Sequence, residues 1–491
     1  MNNSPALVQS KLPLIFAIGV VFLLFAIGGA WAPAVLGGLV LLVLALLEYP
    51  LASAYLAVGL VLVIPVYVAI PPLGPLPNLP VSLTFLLMVL GINFLESMLS
   101  TNALRLGESG RHFVWALILF VLISFISIFD ASSTRETVMS WIRSIAIPMS
   151  IFWLSLRKFK TIAHAQNMIH LLIVVGVICS LYAIVEFIMG RNILIEKLIM
   201  SSDDSMRETM SRFYLTPDQL ASFGSLLYRC FSVFISPIEF GAFMSMVLPF
   251  PIIATFHTKG RLSFLYALAA LLCFVGVFLS FSRGPLLTAI LEFIGLGVFL
   301  KPVRRIIIIC AITGALAIAL AWPVIGEYVT SRVKSEDNVT LRFKLWEIGL
   351  RIYSENPVLG VGLGNYVKYQ NQAERSYRVG PIYESGGDIE HVATVDNAFI
   401  QLATETGTLG IVSFFITMCF YANLIKKLYR QSRQTEDKIL YVQVLGISFA
   451  VFGYFFNALT YTAYSFFVVT VTLLLLFATT LVLERHYWAK P

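Results

Sequence analysis

The stretch "CFVGVFLSFSRGPLLTAILEFIGLGVFL", residues 273–300, decides how this chain is read. It is apolar enough for a bilayer along its whole length, yet Arg283 stands in its middle, with Ser282 before it and Gly284-Pro285 after it. An unpaired guanidinium at the centre of a span costs about 2.5–3.5 kcal/mol even on the lenient insertion scale. The stretch therefore reads as two membrane helices, near 262–280 and 285–300, meeting at one face with almost no loop between them. Pro285 suits a first helical turn, where its missing N–H is no loss. A helix amino end also carries partial positive charge and free N–H groups. At that place Arg283 either snorkels to the headgroups or completes an anion site.

The rest of the chain extends this pattern. Of 491 residues, 58% are hydrophobic and 12% charged, with a mean hydropathy of +0.85, whereas an ordinary soluble domain is about a quarter charged. This is the composition of a polytopic membrane protein. The net charge of +7 reports orientation before partners in such a chain, and nothing in it points to nucleic acid. Cys179, Cys230, Cys273, Cys310 and Cys419 show no paired spacing of a zinc or redox site. Residues 12–30 read as a retained first helix rather than a signal peptide, because apolar sequence resumes directly after "GGAWA".

Runs of about 20 apolar residues, the length that crosses a bilayer, fall near 12–30, 31–48, 51–70, 81–97, 112–129, 139–156, 168–189 and 233–256. Others follow near 262–280, 285–300, 304–325, 397–424, 436–457 and 462–484. The expectation is about 12–14 transmembrane helices. Basic residues gather in alternate short loops: Arg157, Lys158 and Lys160; Lys259 and Arg261; Lys301, Arg304 and Arg305; Lys426, Lys427, Arg430, Arg433 and Lys438. If these loops are cytoplasmic, both termini lie inside. Residues 190–232 and 326–396 then lie outside, with Arg283. The chain divides on this reading into an N-terminal bundle at 1–232 that includes the outer segment 190–232, core helices at 233–325, an outer loop at 326–396, and C-terminal helices at 397–491.

Within the outer loop, "NVTLRFKLWEIGLRIYSENPVLGVGLGNY", residues 338–366, predicts an amphipathic helix over about 340–354, stopped by Asn356-Pro357 and followed by a glycine-punctuated turn. Arg342 and Trp346, four apart, share a face, and Arg351 is read a little round from them. The glycines at 360, 362 and 364 serve either tight turning or close approach to a phosphate. Then "HVATVDNAFIQLATETGTLG", residues 391–410, leads into a span, with Asp396 placed as the N-cap. Asn397, Gln401, Thr404, Glu405 and Thr408 follow as a polar stripe in which Glu405 needs a partner.

Taken together, Ser282-Arg283-Gly284 at a helix start, Arg342 with Trp346, "NPVLGVGLGNY", and the Asn397 helix with "ETGTLG" resemble the bacterial O-antigen ligase and O-antigen polymerase superfamily. The resemblance covers roughly 235–425. It implies an all-α polytopic fold with a large helical outer loop, a GT-C-like membrane glycosyltransferase of the bacterial inner membrane whose active site faces the periplasm. It further implies a glycan donor linked to undecaprenyl diphosphate, an acceptor hydroxyl, no metal or cofactor, and a flippase and chain-length regulator as protein partners. Many ligases of the superfamily carry a histidine where this chain has Asp396, which tilts the reading from ligase toward polymerase. A lipid-linked oligosaccharide flippase is the rival from another class. No related halves of the kind transporters carry are evident, however, and the unusual residues gather at one face.

The chemistry needs cations for a diphosphate leaving group and a base for the attacking hydroxyl. Arginine is permanently charged and bidentate toward phosphate, so Arg283, Arg342 and Arg351 are the candidate diphosphate ligands. The base is either Asp396 or His391: an imidazole ordinarily titrates near 6.5, but Asp396 occupies the position the family gives its base. Asn397, Gln401, Glu405 and Trp346 are the candidate positioning residues.

Overall fold

A computed structural model describes residues 48–64, 69–70, 79–99, 106–129, 131, 133–194, 229–309, 337–377, 395–462 and 466–488. The expected span at 12–30, that at 31–48 but for its last residue, most of that at 304–325, and His391 lie outside the described residues. The chain forms two compact units, Met1–Leu104 and Arg105–Pro491. The first contains α1 (Pro50–Val63), two-residue strands β1 (Ala69–Ile70) and β2 (Leu79–Pro80) in antiparallel register, and α2 (Val81–Leu99).

Among its described residues the second unit is all-α. Its helices are α3 (Glu108–Ile126), α4 (Thr134–Lys158), α5 (Ile162–Met189), α6 (Pro237–His257), α7 (Gly260–Leu279), α8 (Arg283–Phe299), α9 (Asp337–Glu355), α10 (Tyr366–Tyr377), α11 (Ala398–Gln434), α12 (Lys438–Ala458) and α13 (Phe467–Trp488). Among the described residues, eight helices are long and apolar enough to cross a membrane: α3 to α7 and α11 to α13. The protein is an all-α polytopic membrane protein.

Local sequence explains the irregularities. Pro148 in α4 has no N–H for the helical ladder, and the chain relaxes just before it into a π-helical turn, Ile142–Ala146. Ser236 caps α6 by accepting from Ile238 N at 3.1 Å, ahead of Pro237 at the first turn. α6 and α13 are buried along nearly their whole length. The outer helices turn apolar side chains such as Trp115, Phe264 and Val298 outward, as lipid rather than water requires.

The two ends of the bundle differ. At one end Tyr441 packs against His257 and Tyr429, Tyr429 against Phe299, and the Arg433 guanidinium lies over the Tyr441 ring, which brings together the basic turns after α6, α8 and α11. At the other end Phe187 meets Phe281, and Gly284 meets Thr460 just past the end of α12.

Candidate functional site

The site is built on a break in α11. Gly407 has φ 66° and ψ −170°, a conformation essentially confined to glycine. A continuous helix would separate positions 399 and 414 by about 22 Å at 1.5 Å per residue. Their rings instead lie 6.3 Å apart, and Phe399 stacks on Phe415 at 5.9 Å. Residues 398–406 therefore fold back on the following helix as a short arm. The polar stripe expected down a single span sits on this arm, not within a straight transmembrane helix.

Breaking a helix frees carbonyls, and the glycine-punctuated turn takes them up. Val361 N donates to Thr404 O at 3.0 Å and Gly362 N to Glu405 O at 2.9 Å, while Thr408 N donates back to Pro357 O at 2.7 Å. The turn and the break are two halves of one backbone joint. A Cβ on Gly360 would stand 2.5 Å from the Glu405 carbonyl carbon, and one on Gly407 2.2 Å from Val358 O. The N–H groups of Gly360 and Gly362 are both used within the protein, so close backbone packing, rather than a phosphate cradle, accounts for them.

Side chains complete the joint. Glu405, fully buried, finds the partner its position demands: its Oε1 accepts from Gln401 Nε2 at 3.1 Å and from Tyr366 N, at the start of α10, at 3.4 Å. Asn365 Nδ2 reaches Thr137 Oγ1 on α4 at 2.8 Å. Gln401 and Glu405 thus act inside the joint. The apolar side of the arm, Ala398, Phe399 and Leu402, roofs an apolar cavity also lined by Leu363, Tyr454 and Phe477.

The amphipathic helix α9 lies along the arm, in register with it. Arg342 reaches Asp396, Gly349 lets Ile400 and Thr404 approach closely, and the Tyr353 hydroxyl meets Thr408 Oγ1 at 2.7 Å. Positions 342, 346, 349 and 353 are one helical stripe. Trp346 on that stripe packs edge-on against Phe343 and onto the small core of Ile348, Ile352, Val361, Tyr366 and Val395, with its buried indole N–H unpartnered among the described residues. Arg351 is not on it. Nine residues from Arg342 is two and a half turns, so Arg351 faces the opposite way and pairs with Glu347. The expectation that it sits only a little round from Arg342 is corrected by this arithmetic.

The N-cap of the arm is Asn397 and not Asp396. Its side chain accepts from Phe399 N at 3.0 Å and Ile400 N at 3.2 Å. Asp396, one residue earlier, takes the left-handed conformation with φ 49°, which aspartate tolerates better than most residues. That turns its carboxylate to Arg342, Nε to Oδ2 3.6 Å, with the two side chains 45% and 30% exposed. Asp396 is therefore partly exposed and ion-paired.

Arg283 opens α8 and is exposed. It lies at the same end of the bundle as Asp396, because Phe399 packs against Phe455 near the end of α12 while Gly284 abuts Thr460 just beyond it. Beside Arg283 stands a residue the sequence reading did not single out. Arg229 donates from Nη2 to Ser282 Oγ at 3.0 Å and from Nε to Ser280 O at 3.4 Å. Burial, and then the Arg283 charge, lower its pKa. The signal was present in "YRCFSVFISP", residues 228–237, an arginine just before a helix start on the same expected side as Arg283.

Residues 268–415 match the O-antigen ligase family. Over 148 residues the chain is 26% identical to the exopolysaccharide production protein ExoQ of Rhizobium meliloti (strain 1021), covering 29% of this chain and 33% of that relative. The alignment thus spans about a third of the relative's length. The family match runs from α7 through the break in α11 and contains Arg283, Arg342, Asp396 and Asn397. Both findings support the O-antigen ligase and polymerase superfamily that the motifs resemble.

Proposed function

We propose that this protein is a membrane glycosyltransferase of polysaccharide biosynthesis that polymerises oligosaccharide repeat units carried on undecaprenyl diphosphate. The observation that carries the reading is the Arg342–Asp396 pair, a cation and a proton acceptor held together at the bundle end where Arg283 opens α8. The acceptor sugar hydroxyl attacks the anomeric carbon of the donor, and its proton passes to the Asp396 carboxylate. As the new C–O bond forms, the anomeric carbon–phosphate oxygen bond breaks, and undecaprenyl diphosphate leaves with the electron pair. Arginines hold the negative charge that grows on the leaving group. The donor's phosphate competes with Asp396 for Arg342, so donor binding frees the carboxylate to act as base. The basic turns lie at the opposite end of the bundle, which supports an active site on the outer face of the inner membrane.

The relative's role in exopolysaccharide production, together with an aspartate where many ligases carry histidine, favours polymerase. The ligase description of the matching family supports transfer to a different acceptor as the second reading. Purified protein incubated with undecaprenyl-diphosphate-linked repeat units tests both. A ladder of longer lipid-linked chains is expected. Product only on another acceptor would establish a ligase, and no transfer by folded protein would overturn the enzyme reading.

A further inference from the structure

Arg229 is hydrogen-bonded to the residue before Arg283, near enough for the Arg283 charge to act on it, and like charges so placed repel each other unless an anion lies between them. Arg229 is fixed next to Arg283 by its bonds to Ser280 O and Ser282 Oγ. Ser282 is itself anchored, donating to Ser280 O at 3.2 Å, so the segment 280–283 and Arg229 form one hydrogen-bonded unit. Among the described residues neither arginine has a carboxylate partner. The two arginines of α9 differ in this: Arg342 is paired with Asp396 and Arg351 with Glu347. Arg229 also lies outside the segment matched by the family, which begins at 268.

We infer that Arg229 and Arg283 together form a two-cation site for a diphosphate, each guanidinium taking one phosphate group, with Ser282 holding Arg229 in place. Two guanidinium charges spaced by a short hydrogen-bonded segment suit two linked phosphates better than one. The site therefore distinguishes a diphosphate-carrying lipid from the monophosphate left after the terminal phosphate is lost. This assignment rests on the lipid-diphosphate donor proposed above, and it adds a residue to that site.

The test measures binding of undecaprenyl diphosphate, undecaprenyl monophosphate and inorganic diphosphate to the full-length protein in nanodiscs, for wild type, Arg229→Gln, Arg229→Lys and Arg283→Gln. Loss of one charge-assisted contact should weaken diphosphate binding by about tenfold or more in Arg229→Gln, with the monophosphate changed much less and Arg229→Lys intermediate. Inorganic diphosphate should compete with the lipid diphosphate if the headgroup alone is recognised. Failure to compete alongside lipid binding would move recognition to the tail and overturn the site. Wild type that binds no diphosphate lipid at all would instead overturn the donor reading itself. Wild type that binds, with Arg283→Gln weakened and Arg229→Gln unchanged, or with both phosphate forms weakened equally by Arg229→Gln, would overturn the inference alone. Should Arg229→Gln not fold, phenylglyoxal labelling of wild type decides: diphosphate is expected to shield Arg229, and equal labelling with and without it would remove Arg229 from the site.

Discussion

Gly360 packs against Gly407 so closely that a Cβ on Gly360 would stand 2.6 Å from the Gly407 nitrogen. Two glycines 47 positions apart in sequence meet backbone to backbone, and the arm that carries Asp396 hangs from that contact. Gly407→Ala forces a side chain into a glycine-only conformation, worth about 1–3 kcal/mol, and adds a clash with Val358 O. Lower thermal stability in detergent and loss of transfer are expected together. Unchanged melting and activity in Gly407→Ala would show that the break in α11 is not what sets the arm.

Asp396→Asn is expected to remove most transfer while barely moving the melting temperature. The Arg342–Asp396 pair is partly exposed, and such pairs contribute only about 0.2–1 kcal/mol to stability. Arg342→Ala should behave likewise. If instead both variants melt earlier and keep their activity, the pair is structural, and the base must be sought at His391.

Arg351→Ala should retain activity to within about twofold, since a surface i,i+4 pair is worth only a few tenths of a kcal/mol and Arg351 faces away from Asp396. A steady-state assay beside Arg342→Ala measures the difference. Comparable losses in the two variants would return Arg351 to the diphosphate site.

Asn397→Ala removes the cap of the arm, a change of about 1 kcal/mol, and loosens the turn that aims Asp396. Activity should fall further than that figure suggests, and Asn397→Asp, which still caps, should recover much of it. Equal activity in the alanine and aspartate variants would refute a positioning role through the cap.

Membrane sidedness is checked by single cysteines in a background without the native ones. Phe343→Cys, on the exposed face of α9, should react with an impermeant maleimide in intact cells, whereas Arg430→Cys should react only after permeabilisation. Reversed labelling would invert the topology and put the site on the cytoplasmic face.

The sequence by itself determined the class of this protein and most of its helices, because span length, apolar composition and proline positions act locally. Arg283 between two apolar runs ended one helix at Leu279 and opened the next, and Asn356-Pro357 marked the end of α9. Arg283, Arg342, Asp396 and Asn397 were each legible as candidates one by one. What the sequence did not carry was their relation. A periodic polar stripe from Asn397 to Thr408 reads the same whether the helix continues or reverses, and only contact with the 356–365 turn makes the reversal at Gly407 stable, by taking up the carbonyls it frees. That reversal brings Asp396 to Arg342, gives the cap to Asn397 and buries Glu405 in the joint. Arg229 became significant in the same way, once folding set it beside Arg283. Local propensity writes the helices, but the pairing of charges distant in sequence is fixed by backbone groups that must find partners out of water, and only the tertiary structure decides which partners those are.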